Sequence, residues 1–196
     1  MYMRLLDLFS GTHSVGNVAR ELGYSVTSLD LCNADVCCDV LDWDYNAYDV
    51  GHFDVIWASP PCDTFSHARF KNVGRHGITR DSIEADILNK GVPLLRKTEE
   101  IIDYFQPKFY FIENPDSGAM KRFIVERPFY VVDYCMYGFA YRKRTRIWTN
   151  LATDLFQPQL CNKQCGAFVN GKHLCNAVGS NGNLSEKKCV GGPLVG

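Results

Sequence analysis

The sequence predicts an α/β protein, an open, doubly wound and mostly parallel sheet followed by a small appendage rich in cysteine and glycine. Three observations carry that expectation. Short β-rich runs alternate with helically spaced ones up to about residue 150. Polar clusters holding Asp, Glu or Cys stand where the apolar runs stop, which is where open parallel sheets bind their ligands. Beyond that point the periodicity fades and Cys161, Cys165, Cys175 and Cys189 appear among glycines. The chain is therefore read as a core over 1–150 and a loop-rich tail over 151–196.

Each element has its own signal. Residues 4–9 predict a first strand, 10–12 a turn, 15–22 a helix that Gly23 can stop, and 25–31 a second strand ending beside Asp30. A third short strand is expected at 36–40. Residues 53–58 form an apolar run that enters Ser59-Pro60-Pro61-Cys62, where two prolines forbid further ladder pairing and force a rigid turn. Cys62 thus stands just past the carboxyl end of a central strand. Between 82 and 105, apolar residues recur at helical spacing but Gly91-Val92-Pro93 interrupts them, predicting two helices or one kinked one. Residues 109–112 give another strand, ending at Glu113-Asn114-Pro115. Two late strands, 129–135 and 145–149, are joined by the basic stretch 141–146.

Composition narrows the function. With 196 residues, 46% apolar and 13% aromatic, the chain can bury a substantial core, so disorder is excluded as its default state. Its 21 basic and 22 acidic residues leave a net charge of −1, so any polyanion-binding surface must be a local patch. Arg4 and Asp7 interrupt the only early apolar run and no stretch reaches membrane-spanning length, which predicts an intracellular protein that is not secreted. Nine cysteines without an export signal point to reduced thiols with room for a metal site. In the tail, Cys161, Cys165, His173 and Cys175, with Cys189 beyond, supply soft ligands for a tetrahedral zinc.

The strand-end clusters should converge. The first, Asp7-Leu8-Phe9-Ser10-Gly11-Thr12, carries a strand into a helix through a glycine turn that lets backbone approach a ligand. Asp30, at the end of the second strand, fits an acidic position accepting hydrogen bonds from a ribose diol, and Asp39, followed by Val40, one that takes the exocyclic amine of adenine. Together they suggest an adenosine-containing cofactor. Singly, each is ordinary: an Asp in a turn is usually just solvated.

The sharper signal is Ser59-Pro60-Pro61-Cys62-Asp63-Thr64-Phe65-Ser66, followed by Glu113-Asn114-Pro115 and then Arg142-Lys143-Arg144-Thr145-Arg146. In this order the set resembles the cytosine-C5 DNA methyltransferase family. The family's Asp-Leu-Phe-x-Gly opening is matched at residues 7–11, its Pro-Cys loop at 61–62, its Glu-Asn pair at 113–114 and its Arg-x-Arg element at 144–146, so the resemblance covers roughly residues 3 to 150. It implies a Rossmann-like class I fold and S-adenosylmethionine as cofactor, bound around Phe9, Ser10, Gly11, Thr12, Asp30, Asp39, Val40 and Pro60. It also implies Cys62 as nucleophile, Glu113 as the carboxyl sharing a proton with cytosine N3, Arg146 as the cation near O2, and Arg144 as a brace for the nucleophile loop.

Residue chemistry agrees with these roles. Cytosine C5 is a poor nucleophile until a group adds at C6, and a thiolate suits that addition. Charge then moves toward N3 and O2, which calls for an acid and a cation. A duplex hides C6, so the base must be extruded at a cost of a few kcal/mol. Ser66, Arg69, Lys71, Arg75 and Arg80, just after the nucleophile loop, and Arg142 are the expected phosphate contacts.

The sequence departs from the family at His13 and Ser14, where further glycines are usual, at Arg142, where a Gln is common, and at Pro115, where many relatives have Val. The short stretch after Arg146 leaves little room for a target-recognition region, so target selection is expected to be rudimentary, absent, or supplied by a partner or by dimerisation. Asn181-Gly182-Asn183 is a faint match to the family's late cofactor segment. Two other readings stay open: a transfer-RNA methyltransferase with the same site, and an inactive relative that stimulates a partner. An amino-methyltransferase is disfavoured, because its loop would end in an aromatic residue and has no use for a thiol.

Overall fold

A computed structural model describes residues 2–175 of the chain. The expected Asn181–Asn183 segment and Cys189 lie outside the described residues. Seven strands form the main sheet: β1 (Arg4–Leu8), β2 (Ser25–Asp30), β3 (Val36–Cys37), β4 (Val55–Ala58), β5 (Phe109–Pro115), β6 (Phe129–Asp133) and β7 (Arg144–Thr149). Their order is β3-β2-β1-β4-β5-β7-β6. β7 runs antiparallel to both its neighbours, and the remaining pairings are parallel.

Parallel strands buried on both faces need continuous apolar runs, and that is what β1 and β4 supply. On one face α3 (Val92–Phe105) packs Leu95, Ile101, Ile102 and Phe105 into a core with Leu6, Leu8, Ile56 and Ile112. Full burial of such a side chain stabilises by about 1.5–3 kcal/mol. On the other face α1 (Ser14–Glu21) sets Ala19 against Leu5 and Val55. The sheet is therefore doubly wound, as the alternating pattern predicts.

The boundaries differ from expectation for local reasons. β1 ends at Leu8 because Phe9 adopts a positive φ of 58°, which breaks the extended backbone. β3 is only two residues long, and Val40 drops into the core. β5 runs through Glu113-Asn114-Pro115, past its expected end, because β7 pairs with all three. The interruption near Gly91 is resolved as α2 (Arg80–Asp86), a π-helical turn (Ile87–Gly91) and α3, which begins with Pro93 in its first turn, where no N–H is required. Gly91 is demanded by packing: a Cβ there would lie 2.6 Å from Thr64 Oγ1 and 2.7 Å from Phe65 Cζ.

The tail is pinned to the sheet edge. Tyr130 donates to Leu151 O (2.7 Å), and Asp133 N–H donates to Gln159 O (3.0 Å). A hairpin of β8 (Phe168–Val169) and β9 (Lys172–His173) turns at Asn170-Gly171, both in the left-handed region. Among the described residues, no helix is long and apolar enough to cross a membrane.

Candidate active site

Leu8 of β1 stands in register with Leu29 of β2 and Ala58 of β4, and Ala58 with Ile112 of β5, so the loops that follow these four parallel strands emerge along one edge. This is where the polar clusters meet.

The first loop is tied to the second strand. Gly11 N–H donates to Asp30 Oδ2 (2.8 Å), and Leu31 N–H to Asp30 Oδ1 (2.7 Å). Asp7 is buried and accepts the Gly16 N–H at 3.1 Å. Burial pushes its carboxyl up to about 6, against the opposing pull of that N–H. Ser10 Oγ is buried with no hydrogen-bond partner among the described residues. An orphan of this kind costs about 1–3 kcal/mol unless a polar ligand meets it. Thr12 Oγ1 lies 3.0 Å from Ser14 Oγ, and Asp39 Oδ1 accepts from Leu41 N–H (2.9 Å). Phe9 packs against the core beneath this loop, and the Val40 side chain belongs to that core, so only its backbone is offered to a ligand.

The loop that carries Cys62 is clamped from several sides. Asn114 Nδ2 donates to Pro60 O (3.0 Å), Ala119 N–H donates to Phe65 O (2.8 Å), and the Phe65 ring is fully buried. Asn114, read in the sequence only as half of the Glu-Asn pair, is thus the buried side chain that fixes the loop. Cys62 itself reaches solvent. Partial burial of its thiol raises its pKa above the ordinary value; Lys143 pulls it down, while Glu113 and Asp63 push it up.

The cation beside Glu113 is Lys143, whose Nζ lies 3.0 Å from Glu113 Oε1 and 5.1 Å from the centre of the Tyr134 ring. Burial alone would lower the lysine's pKa, but Glu113, Tyr134 and Cys62 raise it on balance, so it stays charged. Arg144 and Arg146 are held elsewhere. Arg144 forks onto Asp133 (2.9 and 3.1 Å), and Arg146 pairs with Asp116 (2.9 Å) with its guanidinium 3.9 Å from the Phe129 ring centre. The reason is strand parity: Glu113 pairs with Ile147, so the arginines, at alternate positions, point to the opposite face, whereas Lys143 shares the face of Ile147. The sequence reading missed Lys143, because alternation along the strand puts it beside Glu113 only once the β5–β7 register is known.

The expected nucleic-acid contacts divide. Lys71, Arg75 and Arg80 are exposed and, among the described residues, form no ion pair. Arg69 pairs with Asp86, Arg142 with Asp133 (3.1 Å), and Ser66 caps a turn by accepting the Ala68 N–H (3.2 Å). The tail ligands need a correction. Cys161, Cys165 and His173 do converge, but their fourth neighbour is Cys135, from the turn after β6, and not Cys175. The Cys175 N–H donates to Ala140 O (3.1 Å) beside Tyr141, and its sulfur is disulfide-bonded, which removes it as a ligand and corrects the expectation that the thiols are reduced.

A mostly parallel seven-stranded sheet with one reversed strand, its strand-end loops gathered along one edge, is a methyltransferase fold. No family model matches the chain. Over 162 residues it is 52% identical to a protein of Frog virus 3 (isolate Goorha) named a probable DNA (cytosine-5)-methyltransferase, a span covering 81% of this chain and 75% of that protein. The chain belongs to the DNA (cytosine-5)-methyltransferase family. Two solved structures share its fold: the Entamoeba histolytica methyltransferase EhMeth (TM-score 0.56, 13% identity, 82% of this chain and 56% of that one), and a protein encoded within an Escherichia coli prophage and described as a DNA modification methyltransferase (TM-score 0.53, 16% identity, 81% and 51%). The chain spans about half the length of these two structures.

Proposed function

We infer that this enzyme methylates C5 of cytosine in DNA, through addition of Cys62 to C6 of an extruded base. The observation that supports this most is the Cys62 loop, fixed by Asn114 beside the Glu113–Lys143 pair. S-adenosylmethionine supplies the methyl group when bound. The orphaned Ser10 hydroxyl, the Gly11 turn, Thr12 and the carboxylates of Asp7, Asp30 and Asp39 are the residues to hold it, with Phe9, Pro60 and the Val40 backbone lining the same edge.

In this reading the Cys62 thiolate forms the S–C6 bond, and Glu113 shares a proton with N3 as charge builds on the ring. Lys143 balances the charge of Glu113 and steadies the thiolate, a part separate from the O2 contact that the family resemblance gives to Arg146. Arg146 remains the candidate for O2 only if it exchanges Asp116 for the base. C5, made nucleophilic by that addition, would take the methyl group that the cofactor supplies, and loss of the C5 proton and elimination of the Cys62 thiolate then release 5-methylcytosine. Lys71, Arg75 and Arg80 are free to meet phosphates at once, whereas Arg69 and Arg142 must first leave their carboxylates. Residues 1–150 are the catalytic core in this account. A zinc in the tail would order it without touching the reacting atoms.

The test is transfer of a labelled methyl group to mixed-sequence DNA and to transfer RNA, followed by nucleoside analysis. 5-Methylcytosine in DNA is expected. Label in transfer RNA alone would move the substrate to RNA, and label in neither would favour an inactive partner protein.

A further inference from the structure

We propose that Cys135, Cys161, Cys165 and His173 bind one structural zinc ion, which fastens the tail to the sheet and holds the basic strand entrance over the active site. The four donor atoms all lie within 4.8 Å of one another. Three of the spacings already match the edges of a coordination tetrahedron: Cys161 Sγ to Cys165 Sγ 3.5 Å, and His173 Nε2 to these sulfurs 3.5 and 3.4 Å. Bonds of 2.0–2.3 Å to a central ion give tetrahedral edges of roughly 3.3–3.8 Å. Three thiolates and an imidazole in that arrangement select zinc over harder cations. On binding, the thiol protons leave to solvent and the imidazole coordinates through its neutral nitrogen.

The surroundings are built for such an ion. Lys163 N–H donates to Cys161 Sγ (3.3 Å), a backbone bond that stabilises a thiolate and orients it. The Asn170-Gly171 turn delivers His173, whose ring also meets Phe168 edge-on at 5.2 Å. Cys135 and Cys165 are buried, and with Ala167 they form the whole buried part of this cluster. So small an apolar patch contributes little to ordering this loop-rich segment, and a metal would add to the hydrogen bonds that pin it to the sheet edge.

The cluster also reaches the active site. Cys161 N–H donates to Asp133 Oδ2 (2.8 Å), and Asp133 accepts from Arg142 (3.1 Å) and Arg144 (2.9 and 3.1 Å), the residues on either side of Lys143. Zinc is thereby a positioning element for Lys143. This last step rests on the proposed function; the metal site does not.

The experiment measures zinc by elemental analysis in the full chain purified without chelator. One zinc per chain is expected, kept by Cys32→Ser, whose thiol is exposed and outside the cluster, and lost by Cys135→Ser. Because Cys135→Ser could misfold, the wild-type protein is also stripped and titrated with Co(II), which should give the visible bands of a tetrahedral thiolate site at one equivalent. Clearly substoichiometric zinc without those bands, a Cys161–Cys165 disulfide in the purified protein, or full zinc in a folded Cys135→Ser variant would overturn the site. Stripping should also slow methyl transfer several-fold, with recovery on adding zinc. A stoichiometric zinc protein that never methylates would leave the site standing and count against the functional reading alone.

Discussion

The ammonium of Lys143 lies 3.0 Å from a carboxylate oxygen of Glu113, and the same lysine lowers the pKa of the Cys62 thiol. One side chain thus serves both the acid and the nucleophile. Lys143→Met should slow single-turnover methylation by about 10²–10³-fold, the usual loss of a preorganised charge partner, and Lys143→Arg should restore part of it. Equal rates in Lys143→Met and wild type would remove Lys143 from the chemistry.

Cys62 gives a pH signature. Its thiol pKa is raised above the ordinary 9.0, so alkylation of Cys62, followed by peptide mass mapping, should keep accelerating as pH rises through 9 in the free enzyme. Removing Lys143 takes away a cation that favours the thiolate. Lys143→Met should therefore shift that profile to still higher pH.

Asp7 carries a stability penalty at neutral pH. Its folded carboxyl titrates at about 6 against 3.8 for the free group, so the folded state binds the extra proton between those values and loses stability as pH rises through them. Asp7→Asn should be more stable than wild type at pH 7 by up to ~3 kcal/mol, an advantage that fades as pH falls from about 6 to about 4. Urea melts at both pH values measure this. The same variant should bind S-adenosylmethionine more weakly, which would explain why a destabilising carboxylate sits at this edge.

Gly91 and Asn114 shape the nucleophile loop from beneath. Gly91→Ala drives a methyl into Thr64 and Phe65, and Asn114→Ala removes the bond to Pro60 O. Both should lower kcat by more than ten-fold while leaving cofactor affinity, read by calorimetry, close to wild type.

The mostly parallel, doubly wound sheet and the placement of the polar clusters at strand ends were legible because apolar runs of β length alternate with helical spacing, and motif residues stand at their ends. What escaped were relations across strands. That Lys143 faces Glu113 depends on the register of antiparallel β7 against β5, which no local pattern encodes. That Cys135 joins the tail thiols depends on where the chain returns after residue 150, across the end of β6. That Arg69 and Arg142 are held by Asp86 and Asp133 depends on pairings across the fold that their local sequence does not carry.

The central claim is that Cys62 adds covalently to cytosine C6, and the most direct measurement is trapping on DNA containing 5-fluorocytosine, where fluorine cannot leave as a proton and elimination stalls. A protein–DNA adduct that requires S-adenosylmethionine, survives denaturation and maps to Cys62 is expected. Cys62→Ala should form none while still binding cofactor, and Glu113→Gln should form it about 10²–10⁴-fold more slowly. Methylation of cytosine by the Cys62→Ala protein would contradict the account.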